Sequence, residues 1–422
     1  MAILPPSRKN PKKPGLERSA LKLGSIEKSI DPPPLDLAEK ERFQLAEKYQ
    51  RYRRDVFDLQ DTAHGLVCQR GREQNLVYPA NYHSVAHCRR QVLGSFGTVR
   101  FSSQGRGYLH GLVTCGSVWA CPMCAAAIQE GRRQEISQAM SWAYAGGFQP
   151  VMVTFTFPHK DWHSLRELLL KQAKALTLLR QGAPWKRFTQ SINYQALIRS
   201  LELTYGKNGW HPHTHELWFV SSQVEAVELR SRLTELWESA CVRAGLLDRN
   251  DVVQMYNFGL HAVDVKGWCQ ASDYLAKQDD SRHWGVDREM AKATSKAGTD
   301  KGRHPFGLLV DAKAGDFQAG EKYLEFIESM KGKRQLFWSH GLKARVGIEE
   351  QSDEELAEKV DPLQVVSCAF DSGNWYRVAR FRKRALMLET AEAGYHEAGV
   401  SGASAYLGVF FASLYGMDRM RQ

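Results

Sequence analysis

Three histidines fall at alternate positions, His211, His213 and His215, in the run HPHTHELWFV. On an extended strand, side chains two residues apart leave from the same face, about 6.5 Å from one to the next. The preceding run LIRSLELTYG is also strand-like, and Gly206-Lys207-Asn208-Gly209 between the two carries a hairpin signal. A hairpin centred on Lys207-Asn208 sets Glu202 directly across from His213, facing the same side. A carboxylate with two or three imidazoles (Glu202, His213, His215 and His211) suits a divalent cation with positions left open for substrate. The competing reading is a packed or surface histidine cluster. Burying that much imidazole without a partner costs roughly several kcal/mol, which favours the metal.

A second constellation is made of cysteines. Cys115, Cys121 and Cys124 lie in CGSVWACPMC, a CxxC pair with a third cysteine six residues upstream. That spacing is part of a structural zinc site. Cys88, in HCRR, is the preferred fourth ligand, with Cys68, His87 and His110 as competitors. A redox CxxC is the rival, but no thioredoxin-like strand precedes the motif. Cys241, Cys269 and Cys368 are scattered and read as ordinary buried thiols. Eight cysteines in a chain of 422 residues do not call for a disulfide framework.

The elements that must position these groups can be read from periodicity. VMVTFTF (151–157) is a strand, with Thr154 and Thr156 alternating against Val153, Phe155 and Phe157. Residues 161–182 form an amphipathic helix, followed by the Glu/His hairpin. A second helix then runs through SSQVEAVELRSRLTELWESACVRAG, with Ser221 or Ser222 as its N-cap. DVVQMYNFGLHAVDV (251–265) reads as a strand pair or one bent strand, and GWCQASDYLAKQ (267–278) as a third helix. This β-α-β-β-α-β-α order points to an α+β fold, a ferredoxin-like antiparallel sheet with helices on one face.

Around that core, residues 1–34 are rich in Pro, Lys and Ser, with seven basic against three acidic residues, a net +4. They read as a disordered basic tail. Residues 35–145 form an N-terminal helical and Cys-rich region, whose first part, 35–59, and AAAIQEGRRQEISQAMSWAYAGG are helical. Residues 146–350 form the domain of the histidine motif. Within it 278–305 reads as a polar basic loop and 317–345 as helical, ending in RQLFWSHGLK. Residues 351–422 form a C-terminal accessory region of short strands and a helix.

Composition narrows the class. The 43% hydrophobic and 25% charged fractions are those of an ordinary soluble protein, and the length implies two or three domains. No apolar run approaches a membrane span, and MAILPPSRKN lacks a signal-peptide core, so a cytoplasmic protein with no membrane partner is expected. A formal charge of +10 favours an anionic partner, nucleic acid first.

Tyr274 and Lys277, three apart on the expected helix 267–278, share a face. A tyrosine beside a bound cation and a lysine is a competent nucleophile for phosphorus, given electrostatic help to form phenolate. At this point the sequence resembles the HUH endonucleases, specifically the replication initiator (Rep) proteins of rolling-circle plasmids. VTFTF at 153–157, HPHTHELWF at 211–219 and DYLAK at 273–277 stand in family order. CGSVWACPMC, HPFGLL at 304–309 and RQLFWSHGL at 334–342 are also similar, so the resemblance covers roughly residues 85–345.

The resemblance implies an HUH-type fold and a metal-dependent nicking and joining of plasmid origin DNA, single-stranded or cruciform. Tyr274 would take the 5′-phosphate and free a 3′-OH primer. His213 and His215 would be the paired metal ligands, Glu202 a third, His211 a ligand or close neighbour, with Mg or Mn as the cation. Structural zinc would sit on Cys88, Cys115, Cys121 and Cys124. Host helicase and polymerase would be partners. The chain departs from some relatives, which carry a second tyrosine or a glutamate one helical turn from the nucleophile. Here both positions are glutamine, Gln270 and Gln278, which leaves Asp273 as one candidate to act at termination. Alternative readings are an HUH relaxase, a single-strand transposase, or a non-catalytic zinc-containing DNA-binding regulator.

Overall fold

The computed structural model describes residues 39–77, 81–220, 225–266, 303–358 and 366–419. The expected tail 1–34, the helix 267–278 with Tyr274 and Lys277, and most of the loop 278–305 lie outside the described residues. The first half contains α1 (Glu39–Glu73), a 3-10 turn (Ser84–Ala86), β1 (Phe96–Phe101), β2 (Gly107–His110), α2 (Pro122–Ala145), β3 (Gln149–Phe155), α3 (Leu165–Leu179) and α4 (Gly182–Ser191). Then come β4 (Tyr194–Gly206), β5 (Gly209–Val220), α5 (Ala226–Ala244), α6 (Val252–His261) and β6 (Val263–Lys266). The last part holds α7 (Pro305–Lys313), α8 (Phe317–Ser329), β7 (Leu336–Trp338), α9 (Leu342–Val346), α10 (Asp353–Glu358), β8 (Val366–Asp371), α11 (Ser372–Arg380) and α12 (Arg384–Arg419).

The fold is α+β. Its main sheet has the order β6-β3-β5-β4-β7, and each neighbouring pair is antiparallel. The hairpin β4–β5 is central because its residues alternate and its turn closes in two residues, Gly206 pairing with Gly209. Gly209 takes φ +79, while Lys207 and Asn208 stay at negative φ. The left-handed conformation thus falls on the glycine that closes the turn, where a Cβ would be disfavoured.

Register decides which side chains share a face, since directly paired residues point the same way. One face carries Val151, Val153, Phe155, Leu197, Leu203, Trp210 and Trp218, and it is buried under α3, α5 and α8. The other face is divided along its length. Met152, Ala196, Ile198, Leu217 and Phe219 pack against Ile136, Ala139, Met140 and Ala143 of α2 and against Leu342 and Val346 of α9. Beyond that cover, the same face continues into Ser200, Glu202, His211, His213 and His215. Helices therefore cover both faces, not one as the sequence alone suggests, and only the histidine end is left uncovered by α2.

The first and last described parts of the chain meet. β8 pairs with β1 in a second sheet of order β2-β1-β8, and Phe57 of α1 shares a core with Val99, Phe370, Trp375 and Leu407. Arg384, 1% exposed, pairs with Asp61 at 2.5 Å and so ties the start of α12 to α1. By length and composition α12 could cross a membrane, which corrects the expectation that no apolar run approaches a span. However, Ala398 and Gly399 are non-helical and fold it into two arms, with Gly394 packed on Gly402. Residues 400–417, in the second arm, carry no charge, but Ala403, Leu407, Phe410, Phe411 and Leu414 there are buried in the core shared with Val99 and Trp375.

Other expectations need correction. Residues 252–261 form a helix instead of a strand: Asp251 caps it by accepting a hydrogen bond from the Gln254 N–H, and only 263–266 is extended. The β-branched Val252 and Val253 are exposed there, so their strand propensity finds no sheet partner. α5 starts at Ala226 with Glu225 as N-cap, later than a cap at Ser221 or Ser222 would give. The segment 317–345 is not one helix: α8 stops at Ser329, Gly332 takes φ +75, and β7 then pairs with β4.

Candidate metal centres

The hairpin brings Glu202, His213 and His215 together. Glu202 pairs with His213 across β4 and β5, and one ligand atom from each of the three lies within 4.8 Å of the others. Glu202 Oε2 is 3.1 Å from His215 Nε2 and 3.7 Å from His213 Nε2. Glu202 is 3% exposed and His215 8%, so the acid is presented from within the sheet and is not a surface charge.

The second ring nitrogens orient the imidazoles. His213 Nδ1 lies 3.3 Å from the His211 carbonyl, and a carbonyl only accepts, so Nδ1 carries the proton. Its Nε2 lone pair is thereby left facing Glu202. His215 Nδ1 is 2.9 Å from Thr154 Oγ1, the residue paired with it on β3. With that hydroxyl accepting, His215 Nε2 would likewise turn its lone pair toward the carboxylate. Two lone-pair nitrogens and a carboxylate oxygen converging at these distances need a proton or a cation between them. The donor set fits a divalent metal with N and O preference.

His211, counted with the ligands from sequence, is not part of this trio. Its Nε2 is engaged by the Thr156 hydroxyl at 2.5 Å, and its ring stands 4.9 Å from that of His213. Burial, then the neighbouring His213 and His159, holds its pKa down to about 3, so it is neutral at ordinary pH. A fourth imidazole extends the row: His159, just after β3, stacks on His211 at 4.6 Å and 24°. Sequence reasoning missed His159 and the orienting role of Thr154. For Thr154 a signal existed in the Thr/Phe alternation of the strand. For His159 none did, since a loop must fold back to bring it there.

The four cysteines converge as well. Cys88, Cys115, Cys121 and Cys124 have sulfur atoms within 4.8 Å of one another, and the structure brings in Cys88 in preference to Cys68, His87 or His110. Sulfur separations are 3.5 Å for Cys88–Cys124, 3.5 Å for Cys88–Cys121 and 3.7 Å for Cys115–Cys124. Four thiolates about 2.3 Å from a tetrahedral zinc stand about 3.8 Å apart, whereas a disulfide needs about 2 Å. The quartet thus has the size of a zinc site.

Its construction is local. Cys121 is the N-cap of α2, Pro122 opens the helix and Cys124 sits in its first turn. A helix N-terminus favours a thiolate there. Hydrogen bonds from Cys115, Cys121 and Cys88 pull the Cys124 thiol well below its usual range, while burial pushes Cys121 well above. Gln60 of α1 donates to the Cys88 carbonyl at 3.2 Å and to Cys121 Sγ at 3.5 Å, and its own amide oxygen accepts from Arg384. The quartet pins the start of α2, and the same helix covers the sheet face that ends in the histidines.

These features define an α+β protein with, among the described residues, two groups able to hold metal, one buried among thiols and one on a sheet face beyond the cover of α2. Residues 107–241 match the family described as Replication protein. That stretch holds Glu202, His211, His213, His215 and three of the four cysteines, but stops short of Tyr274. The chain is similar to a protein called Protein rep from Streptomyces lividans, 25% identical, with 69% of this chain and 77% of the relative covered. It is also similar to a protein called Neomycin resistance protein from Streptomyces cyanogenus, 29% identical over 32% of this chain and 36% of that relative. No solved structure matches the chain. The resemblance to Rep proteins carried by the motifs is therefore borne out.

Proposed function

We propose that this chain is a plasmid replication initiator that nicks and rejoins origin DNA with Tyr274 as nucleophile. The observation that carries the reading is the trio Glu202, His213 and His215, built on a sheet face beyond the cover of α2, within the stretch that matches the Replication protein family. A divalent cation, Mg or Mn, held by the trio would supply positive charge against the oxygens of the scissile phosphate. The His211 carbonyl keeps His213 in the ligating tautomer, and the Thr154 hydroxyl can accept from His215 Nδ1 and so supports the same tautomer there once a cation is bound.

In the proposed step the Tyr274 phenol oxygen bonds to phosphorus as the bond from phosphorus to the 3′ oxygen breaks. The proton lost by the phenol is balanced by the proton gained on the freed 3′-OH. One phosphoester replaces another, so the strand can be resealed. Lys277 would neutralise charge on the phosphate.

Chain length is compatible with this role. Lys266 pairs with Met152, and one step along the same face Thr154 pairs with His215. Two strand spacings and a two-residue step put Lys266 roughly 12 Å from the trio. Tyr274 is eight residues further on, and eight residues of the expected helix rise about 12 Å.

Zinc on the cysteine quartet would be structural, fixing α2 and through it the cover of the sheet. Tyr274→Phe should abolish covalent attachment to an origin oligonucleotide while leaving origin binding, and attachment surviving that change refutes the assignment. His213→Ala should lose nicking of a supercoiled plasmid carrying this gene together with its response to Mn²⁺. Nicking by that variant without metal would remove the ligand role.

A further inference from the structure

We propose that Trp162 and Lys160 form a stacking shelf for an unpaired base of single-stranded DNA beside the metal trio, an inference that rests on the function proposed above. Trp162 is 75% exposed. Trp119, Trp210, Trp218, Trp237 and Trp375 are all buried, and no other tryptophan among the described residues is exposed. A single surface aromatic is ordinary. Three further observations set this one apart.

First, a cation accompanies the ring: Lys160 Nζ lies 6.0 Å from the indole centroid, placing a phosphate-binding charge beside a stacking plane. Second, the loop is held rigid. The Lys160 N–H donates to His163 Nδ1 at 3.0 Å, and the His163 N–H donates back to the Lys160 carbonyl at 3.2 Å. Third, the loop is bolted to the hairpin that carries the trio. His159 Nδ1 donates to the Asn208 carbonyl at 2.9 Å, and its ring stacks on His211.

The glycine at the turn makes that contact possible. A Cβ on Gly209 would lie 2.7 Å from Asp161 Cα and 3.1 Å from the Lys160 carbonyl oxygen. The loop backbone therefore rests directly on the hairpin tip. From His159 the imidazoles step 4.6, 4.9 and 5.1 Å through His211 and His213 to His215. A base on the indole and a phosphate at the trio thus belong to one short stretch of strand.

The surroundings are mixed but net basic. Arg166 and Lys207 are exposed on the adjoining helix and turn, and Asp161 and Glu167 are exposed too, but Glu167 is paired with Lys171. An exposed indole with a lysine beside it fits a base and its phosphate, because every base has a stacking face and every nucleotide a negative charge.

The test is fluorescence anisotropy of a labelled oligothymidylate with the full-length chain. Trp162→Ala should weaken binding roughly tenfold, within the range of one lost base–aromatic stack, and Trp162→Phe should recover most of it. Titration with Mn²⁺ should be unchanged in both variants, which shows the trio intact. Lys160→Ala should flatten the log–log salt dependence by about 0.7, one phosphate contact on a single strand. Binding by Trp162→Ala within twofold of the parent overturns the shelf alone. A parent chain that does not bind the oligothymidylate overturns both the shelf and the DNA reading beneath it.

Discussion

Replacing Thr154 by valine separates a metal site from a packed histidine cluster. The change keeps the β-branched shape of a half-buried strand residue, so the sheet should persist. It removes the hydroxyl 2.9 Å from His215 Nδ1, while Val153 and Phe155 on either side stay in the core. In the ligating tautomer Nδ1 carries the proton, and without Thr154 that N–H has no acceptor. An unpaired buried donor costs about 1–3 kcal/mol. The alternative tautomer escapes this cost by turning Nε2–H toward Glu202 Oε2, 3.1 Å away, but it can no longer bind a cation through Nε2. Either way the cost falls on the metal-bound state, and at 1.4 kcal/mol per decade it weakens metal binding about 10- to 100-fold. Isothermal titration with Mn²⁺, run beside a urea melt, reads both quantities. The expected pattern is a large loss of Mn²⁺ affinity with a change in folding stability of about 1 kcal/mol. Unchanged Mn²⁺ affinity, or a loss of stability with no metal binding in the parent chain, would refute the reasoning.

Other outcomes follow from the same structure. Purified protein should contain zinc, and Cys124→Ser should lose it and unfold at a lower temperature, because structural zinc binding is folding free energy. Metal analysis that finds no zinc in the parent would remove the quartet from the account. Stability should also fall in acid through His64 and His83. Burial first, then Arg90 for His64 and Lys331 for His83, holds each down to about 4. In the unfolded chain they take up protons near 6.5. Their contribution is therefore complete above about pH 6.5, declines as pH falls toward 4, and changes no further below. Urea midpoints for a His64→Asn/His83→Asn variant should show a shallower decline across that window, and an identical slope would contradict the assignment.

The chemistry was more legible in the sequence than the architecture around it. Alternation of His211, His213 and His215, with a glycine-bounded turn, fixes the register of a hairpin over a few residues, and Glu202 opposite His213 follows from local geometry. The spacing of Cys115, Cys121 and Cys124 is likewise local. Cys88, 27 positions upstream of Cys115, was already the preferred fourth ligand from the sequence, but the contact from Gln60 of α1 that holds it there is tertiary, and no spacing reveals it. The pairing of β8 with β1 brings together segments some 270 residues apart, beyond the range of periodicity. α2 was recognisable as a helix, but its burial on the sheet face was not, because its alanine-rich stretch gives a weak amphipathic signal. In α6 the valines favoured a strand reading, and the Asp251 cap overrode it. His159 depended on a loop folding onto Gly209, a tertiary contact.

The most direct measurement is to incubate the protein with Mn²⁺ and a single-stranded oligonucleotide spanning its origin, then map any covalent adduct by mass spectrometry. The account predicts a 5′-phosphate on Tyr274, formed only with metal and absent from His213→Ala. An adduct on any other residue, or one formed equally well in chelator, would contradict it.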